Sequence, residues 1–421
     1  MLFLVLSIVS ALKLPIHASR QPVKLKTTGS NPIELGNYFN ELYYFNLKVG
    51  SYNSELSVMI DTGSKYLWIP NINCETCEHA DNFYNSSASS TSKSLFLEYT
   101  FKYGQGSVTG TATEDSIKIS GDNKTELENF PFLSVSKATN FDDFNSDGIL
   151  GLSFGDKTFG FKNFVEELKS QGEIEVASFS LYLNYNLLDE FISTNPTSTI
   201  IFGGFDMALA QENFKYLKID KSSGYWISSL SEIKVDRMRE GVIQNTENLI
   251  LVSKSVVFHT GSYMIKAPTD EYNSLMSYIT EKYLCYELDK ETFCLCGDDT
   301  WFYDLDLGGF PLLRFYINNT EFELEPEYYI ESSAGVCRIM LSDLGEKDYI
   351  ILGLPFLRRY YTYFDFEREE IGLARAIKSI QVIFSSGSYL ALASFALVNI
   401  LVVHYIYKTH KPADESYFSL A

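Results

Sequence analysis

One four-residue pattern occurs twice in this chain and constrains its fold more than any other feature. Asp61-Thr-Gly-Ser follows the apolar-rich run of residues 56–60, and His259-Thr-Gly-Ser stands 198 positions later, after Ser255-Val-Val-Phe. Each is followed by a glycine-bearing apolar segment, Ile149-Leu-Gly-Leu and Ile351-Leu-Gly-Leu, 202 positions apart. Two matched pairs, in the same order and at nearly the same offset, describe two lobes of related structure. Short β-type runs (residues 43–49, 56–60, 179–183, 199–202 and 312–317) alternate with clusters of Gly, Asn, Asp and Ser. That punctuation predicts an all-β protein, with helices only near 162–170 and 271–283. An aromatic content of 15% suits such half-buried β surfaces.

The chain has 34 Lys+Arg against 54 Asp+Glu, a formal charge of −20. That excludes a generic nucleic-acid binder, whose phosphate contacts need clustered cations. It is expected instead to be a solvated acidic surface. The ends carry targeting signals. Residues 1–11 read MLFLVLSIVSA, an apolar core closing on small residues, so a signal peptide is expected over 1–18. Residues 389–407 hold no Asp, Glu, Lys or Arg, and Lys408, His410 and Lys411 follow. Nineteen such residues nearly span the ~30 Å hydrocarbon layer as a helix, with the basic flank in the cytosol. A signal plus one late span predicts a single-pass type I membrane protein of the secretory pathway, its body lumenal or extracellular.

In that oxidising space the six cysteines are expected to pair. Nearness favours Cys74 with Cys77, Cys285 with Cys294 or Cys296, and the remaining one with Cys337. No second CxxC or histidine pair supports a metal site, and no cofactor is expected. N-glycosylation sequons stand at Asn85, Asn123 and Asn318.

The chain resembles the pepsin-like aspartic peptidases. The resemblance rests on the Asp61-Thr-Gly-Ser loop with Leu67-Trp-Ile-Pro, on the Cys74/Cys77 loop, and on Tyr103-Gly-Gln-Gly-Ser107. It continues through Asp147-Gly-Ile-Leu-Gly-Leu, Ile201-Phe-Gly-Gly, Gly224-Tyr-Trp and Gly353-Leu-Pro-Phe-Leu, covering about residues 43–376. It implies a bilobal pepsin-like fold, one D-T/S-G loop per lobe, and a β-hairpin flap with a tyrosine over a peptide-binding cleft. Carried onto this chain, the catalytic positions are Asp61 and His259. Thr62 and Thr260 would tie the loops together, and Gly63 and Gly261 would let them approach. Ser64 and Ser262 would orient the site, with Tyr103, Gly104 and Ser107 in the flap. Trp68 would bond Tyr103 through its indole N–H or simply pack in the core. His79 reads as an exposed loop residue.

In such enzymes two carboxylates share a proton around one water. Here the second is His259 in an otherwise intact loop, and no nearby aspartate replaces it. Two functions follow. In one, Asp61 and protonated His259 form the base and acid of a membrane-anchored endopeptidase. In the other, the cleft is catalytically silent and the chain is a peptide-binding or receptor-like pseudoprotease. The expected layout is a short pro-segment or linker at 19–36, lobes at 37–205 and 206–376, and a stalk at 377–388. The membrane helix at 389–407 and a cytosolic tail at 408–421 complete it, in a monomer. Tyr417-Phe-Ser-Leu420 fits the Tyr-x-x-bulky-apolar pattern read by clathrin adaptors, which implies endosomal or lysosomal sorting; the plain alternative is an unstructured polar tail.

Overall fold

The computed structural model describes residues 31–382, apart from 105, 123–124, 156–160, 185–192, 196, 240–241, 251–253, 297–306, 334 and 379. The expected signal peptide, the 389–407 span, the sorting pattern at 417–420 and the sequon at Asn123 all lie outside the described residues. Among those that are described, no helix is long and apolar enough to cross a membrane.

The two halves repeat one topology. In the first, the strand Ser54–Asp61 lies parallel to Gly148–Gly151, with Asp61 opposite Gly151. In the second, Lys254–Phe258 lies parallel to Tyr349–Leu352, with Phe258 opposite Leu352. Gly148–Gly151 then pairs antiparallel with Leu67–Pro70, as Tyr349–Leu352 does with Ile265–Ala267. A parallel neighbour follows in each case, Glu126–Thr139 in the first half and Leu341–Asp343 in the second. The repeated apolar segments are therefore the central strands that hold the two Thr-Gly-Ser loops. Both are bounded by sheet on either side, which explains their continuous apolar reading.

Each half builds a large sheet around its central strand, eight-stranded in both cases. A six-stranded sheet joins the halves: Ser178–Tyr182 and Thr199–Phe202 from one side pair into Tyr360–Asp365 and Glu370–Arg375 from the other. Its buried residues Phe179, Phe202, Phe364 and Leu373 belong to a core shared by both lobes. The strands anticipated at 43–49, 56–60, 179–183, 199–202 and 312–317 all form, within about two residues at their ends.

Two anticipated helices appear as Phe164–Ser170 and Thr269–Ile279. The first is set by Asn163, whose side chain accepts from the backbone N–H of Val165 and Glu166 at 2.9 and 3.0 Å. Pro326–Tyr329 and Leu354–Arg359 are further short helices, each opened by proline in its first turn.

The disulfides are Cys74–Cys77, Cys285–Cys294 and Cys296–Cys337. The alternative left open between Cys294 and Cys296 is decided by register: Cys285 lies directly opposite Cys294 across a hairpin. Asn318 is exposed at a tight turn and Asn85 partly so, and both are therefore reachable by a glycan.

Candidate active site

The two loops meet at the centre through a reciprocal lattice of four hydrogen bonds. Thr62 Oγ1 donates to the carbonyl of Phe258 (2.8 Å) and accepts from the N–H of Thr260 (2.9 Å). Thr260 Oγ1 donates to the carbonyl of Ile60 (2.8 Å) and accepts from the N–H of Thr62 (2.9 Å). Both threonines are buried. Each hydroxyl thereby satisfies one donor and one acceptor of the opposite loop that would otherwise be orphaned.

This lattice sets Asp61 and His259 face to face. His259 Nε2 lies 2.9 Å from Asp61 Oδ1, which also accepts from the Gly63 N–H at 2.9 Å. The Asp61 side chain is 4% exposed and that of His259 25%, so the imidazole is the partner open to the cleft. Such closeness requires the glycines. A Cβ on Gly63 would sit 2.1 Å from His259 Nε2, and one on Gly261 would sit 2.6 Å from Asp61 Oδ1.

Burial acts to raise the Asp61 pKa, but the charge of His259, its hydrogen bond, the Ser64 hydroxyl and the Gly63 N–H outweigh that. The carboxyl is held below its ordinary value. Asp61 is therefore held as a carboxylate. Oδ1 is occupied by two donors.

The two serines differ from each other. Ser262 Oγ donates to the carbonyl of Met264 at 2.8 Å and does not contact His259. Ser64 Oγ is buried beside the Asp61 carboxyl and helps to lower its pKa, as expected.

Tyr103 stands at the end of the Lys93–Lys102 strand, and its N–H closes a turn onto the Gly106 carbonyl at 2.8 Å. The turn leads into Ser107–Ile119, with Gly104 exposed and Ser107 opening the return strand. Burial, followed by the negative charge of Asp61, pushes the Tyr103 phenol up, so Tyr103 lies within electrostatic reach of the Asp61 carboxyl. Trp68 backs it, with ring centroids 6.4 Å apart. The buried Trp68 indole N–H acts as a hydrogen-bond donor toward the Tyr103 phenol, opposing the rise in its pKa, and the same ring packs against Phe141 and Phe144.

His79 corrects a second expectation. It is half-buried among Trp68, Phe141 and Phe144 at 5.7–6.0 Å, behind the flap. Its position two residues after Cys77 reads as loop, and only the fold shows the aromatic wall that this loop covers. Tyr225 was also missed: it contributes to the electrostatic environment of Tyr103, with the Lys65 ammonium 5.4 Å over its ring. The Gly224-Tyr-Trp motif was its signal. Within that motif Trp226 donates to the Leu152 carbonyl at 2.9 Å and so links the halves. Among the described residues no group of three His, Cys, Asp or Glu side chains is placed to hold a metal.

A bilobal β fold, twin Thr-Gly loops locked at its centre and a tyrosine-bearing flap define a pepsin-like aspartic protease architecture. Residues 42–376 match the eukaryotic aspartyl protease family, and the chain belongs to it. It is similar to plasmepsin IV of Plasmodium falciparum, 27% identical over 362 residues, covering 82% of this chain and 72% of the relative. It is similar to pepsin A of Bos taurus, 27% identical over 355 residues, covering 81% and 86%. Gastricsin of Callithrix jacchus is 27% identical over 352 residues, covering 80% and 82%.

Proposed function

We propose that this chain is a membrane-anchored aspartic-type endopeptidase of the secretory or endosomal system, working through an Asp61/His259 pair. The observation that carries the reading is the division of labour on Asp61. Oδ1 is committed to His259 and Gly63, and in this reading Oδ2, with Ser64 beside the carboxyl, holds the attacking water. Asp61 takes a proton from that water as its oxygen attacks the peptide carbonyl carbon. The His259 imidazolium supplies a proton to the substrate, so the carbonyl oxygen does not carry a full negative charge. Asp61 then passes the proton it took from water to the substrate nitrogen, while His259 takes back a proton from one hydroxyl. Collapse of the tetrahedral adduct breaks the C–N bond, releases the amine and the carboxylic acid, and restores the starting pair. Anchorage by residues 389–407, glycosylation at Asn85, Asn123 and Asn318, and sorting by Tyr417–Leu420 rest on the sequence patterns.

One observation favours the second reading, a peptide-binding pseudoprotease: the direct Asp61–His259 contact lowers the carboxyl pKa and so weakens it as a base. Cleavage of a denatured protein pool by the purified full chain between pH 3 and 7 separates the two. The peptidase requires turnover that Asp61→Asn abolishes and that His259→Ala lowers by about 10²–10⁴-fold. Activity surviving Asp61→Asn sinks the assignment. Absence of wild-type turnover at every pH, with peptide binding retained, establishes the pseudoprotease.

A further inference from the structure

The four-stranded sheet of the second half (Leu284–Leu288, Glu291–Leu295, Val336–Ile339, Ile330–Ser333) has one face with two characters. Residues directly opposite one another share a face. The register pairs Leu284 with Leu295, Tyr286 with Phe293 and Leu288 with Glu291, and sets Phe293 opposite Arg338. All of these therefore lie on the same side.

The inner part of that face is ionic and reaches the site. Arg338 bonds Glu291 (2.7 Å) and Glu331 (3.3 Å) beside it and Glu41 of the first half (2.9 Å). Tyr263, the residue after the His259-Thr-Gly-Ser loop, donates to Glu291 at 3.1 Å and lies under the Arg338 guanidinium.

The outer part is apolar and open. Leu284 is 73% exposed, Leu288 56%, Leu295 51% and Tyr286 49%. Tyr286 stacks on Phe293 at 5.7 Å. Across the hairpin, on its other face, the Cys285–Cys294 disulfide staples the two strands. Leu284–Leu288 is moreover the outer strand of its sheet among the described residues, so its backbone edge is available for pairing.

We propose that this hairpin is a docking platform for an extended apolar stretch of the polypeptide substrate, remote from the bond to be cleaved. The inference rests on the cleft reading above and deepens it. Continuity argues for that occupant: the apolar stripe begins where Glu291, Tyr263 and Glu41 tie the same sheet face to the catalytic loop and to the opposite lobe. The geometry suits an added strand. Leu284, Tyr286 and Leu288 span about 13 Å, enough for alternate side chains of an extended peptide to fall between them.

The test uses the purified full chain and two fluorescent peptides that share one cleavable centre. One is short; the other carries an alternating Leu-Ser-Phe-Ser-Leu extension, placed at either end in separate versions. Anisotropy in an Asp61→Asn background reads binding, and KM and kcat are read in the parent. In one version the extended peptide should bind at least about tenfold tighter than the short one. The triple variant Leu284→Ser, Tyr286→Ser, Leu288→Ser should remove that advantage, raising KM for the extended peptide alone and leaving kcat unchanged. Leu288→Asp, a single exposed change, should remove most of it and guards against misfolding of the triple variant.

Equal binding of both peptides by the parent, or an advantage that survives both variants, overturns the proposal. So does a variant that keeps the peptide advantage but loses self-association in sedimentation, or loses binding to phosphatidylcholine vesicles, because the face then serves another occupant. A binding advantage without any turnover would leave the platform standing and remove the peptidase reading alone.

Discussion

Replacing Thr62 by valine isolates what holds the two catalytic loops together. Valine keeps the branched shape but deletes the hydroxyl, so the Phe258 carbonyl and the Thr260 N–H both lose their partner. Thr62 is fully buried, and water does not readily take over. Each buried polar group left unsatisfied costs about 1–3 kcal/mol, which puts Thr62→Val at about 2–6 kcal/mol. Domain stabilities are about 5–15 kcal/mol, so that loss is large. Thr260→Val removes the other two bonds, to Ile60 and Thr62, and should cost as much. The two residues are each other's partners in one network, so the double variant should depart from additivity by about 0.5–3 kcal/mol. Urea unfolding followed by tryptophan fluorescence is the assay, since Trp68 and Trp226 are buried in different halves. The midpoints of both halves should fall together. A loss under about 1 kcal/mol for either single variant would refute the reasoning, because it would mean that the orphaned groups find other partners at no cost.

Gly63→Ala should leave the fold intact while removing at least about 10²-fold of activity. Its Cβ would overlap His259 Nε2 at 2.1 Å and drive the imidazole off Asp61; unchanged kcat would contradict that geometry. The pH dependence follows from signs. Asp61 has a folded pKa below its unfolded value of 3.8, so its contribution is full above pH 3.8 and is lost as pH falls through the lower folded value. The stability gap between wild type and Asp61→Asn should therefore close on acidification below about pH 4, as read by urea midpoints. Burial, against the pull of Asp147 and Asp142, holds His79 below its unfolded 6.5. Its neutral form stabilises the fold above pH 6.5, and that contribution is lost as pH falls through the lower folded value. His79→Phe should accordingly lose less stability between pH 7.5 and 5 than wild type does. Finally, Tyr417→Ala should move the protein from internal vesicles to the cell surface, and an unchanged distribution by surface labelling would remove the sorting reading.

The duplicated Thr-Gly-Ser loops were legible because they repeat in sequence what they do in space: each needs a central strand before it and a parallel neighbour after it. Apolar patterning around Asp61, His259 and the two Ile-Leu-Gly-Leu segments therefore carried the fold, and the replacement of a carboxylate by His259 needed no structure to be seen. Register is not written in composition. The choice of Cys294 over Cys296 as the partner of Cys285 depended on which residues stand opposite across a hairpin. The contacts of Trp68, Ser262 and His79 depended on side chains brought together from distant segments. Sequence fixed which groups were present at the site, because chemistry resides in residue type. Only the tertiary structure decided that Nε2 of His259 is committed to Asp61, that Ser262 turns to its own backbone, and that Leu284, Tyr286 and Leu288 form one open face. Those outcomes are set by distances between residues far apart along the chain.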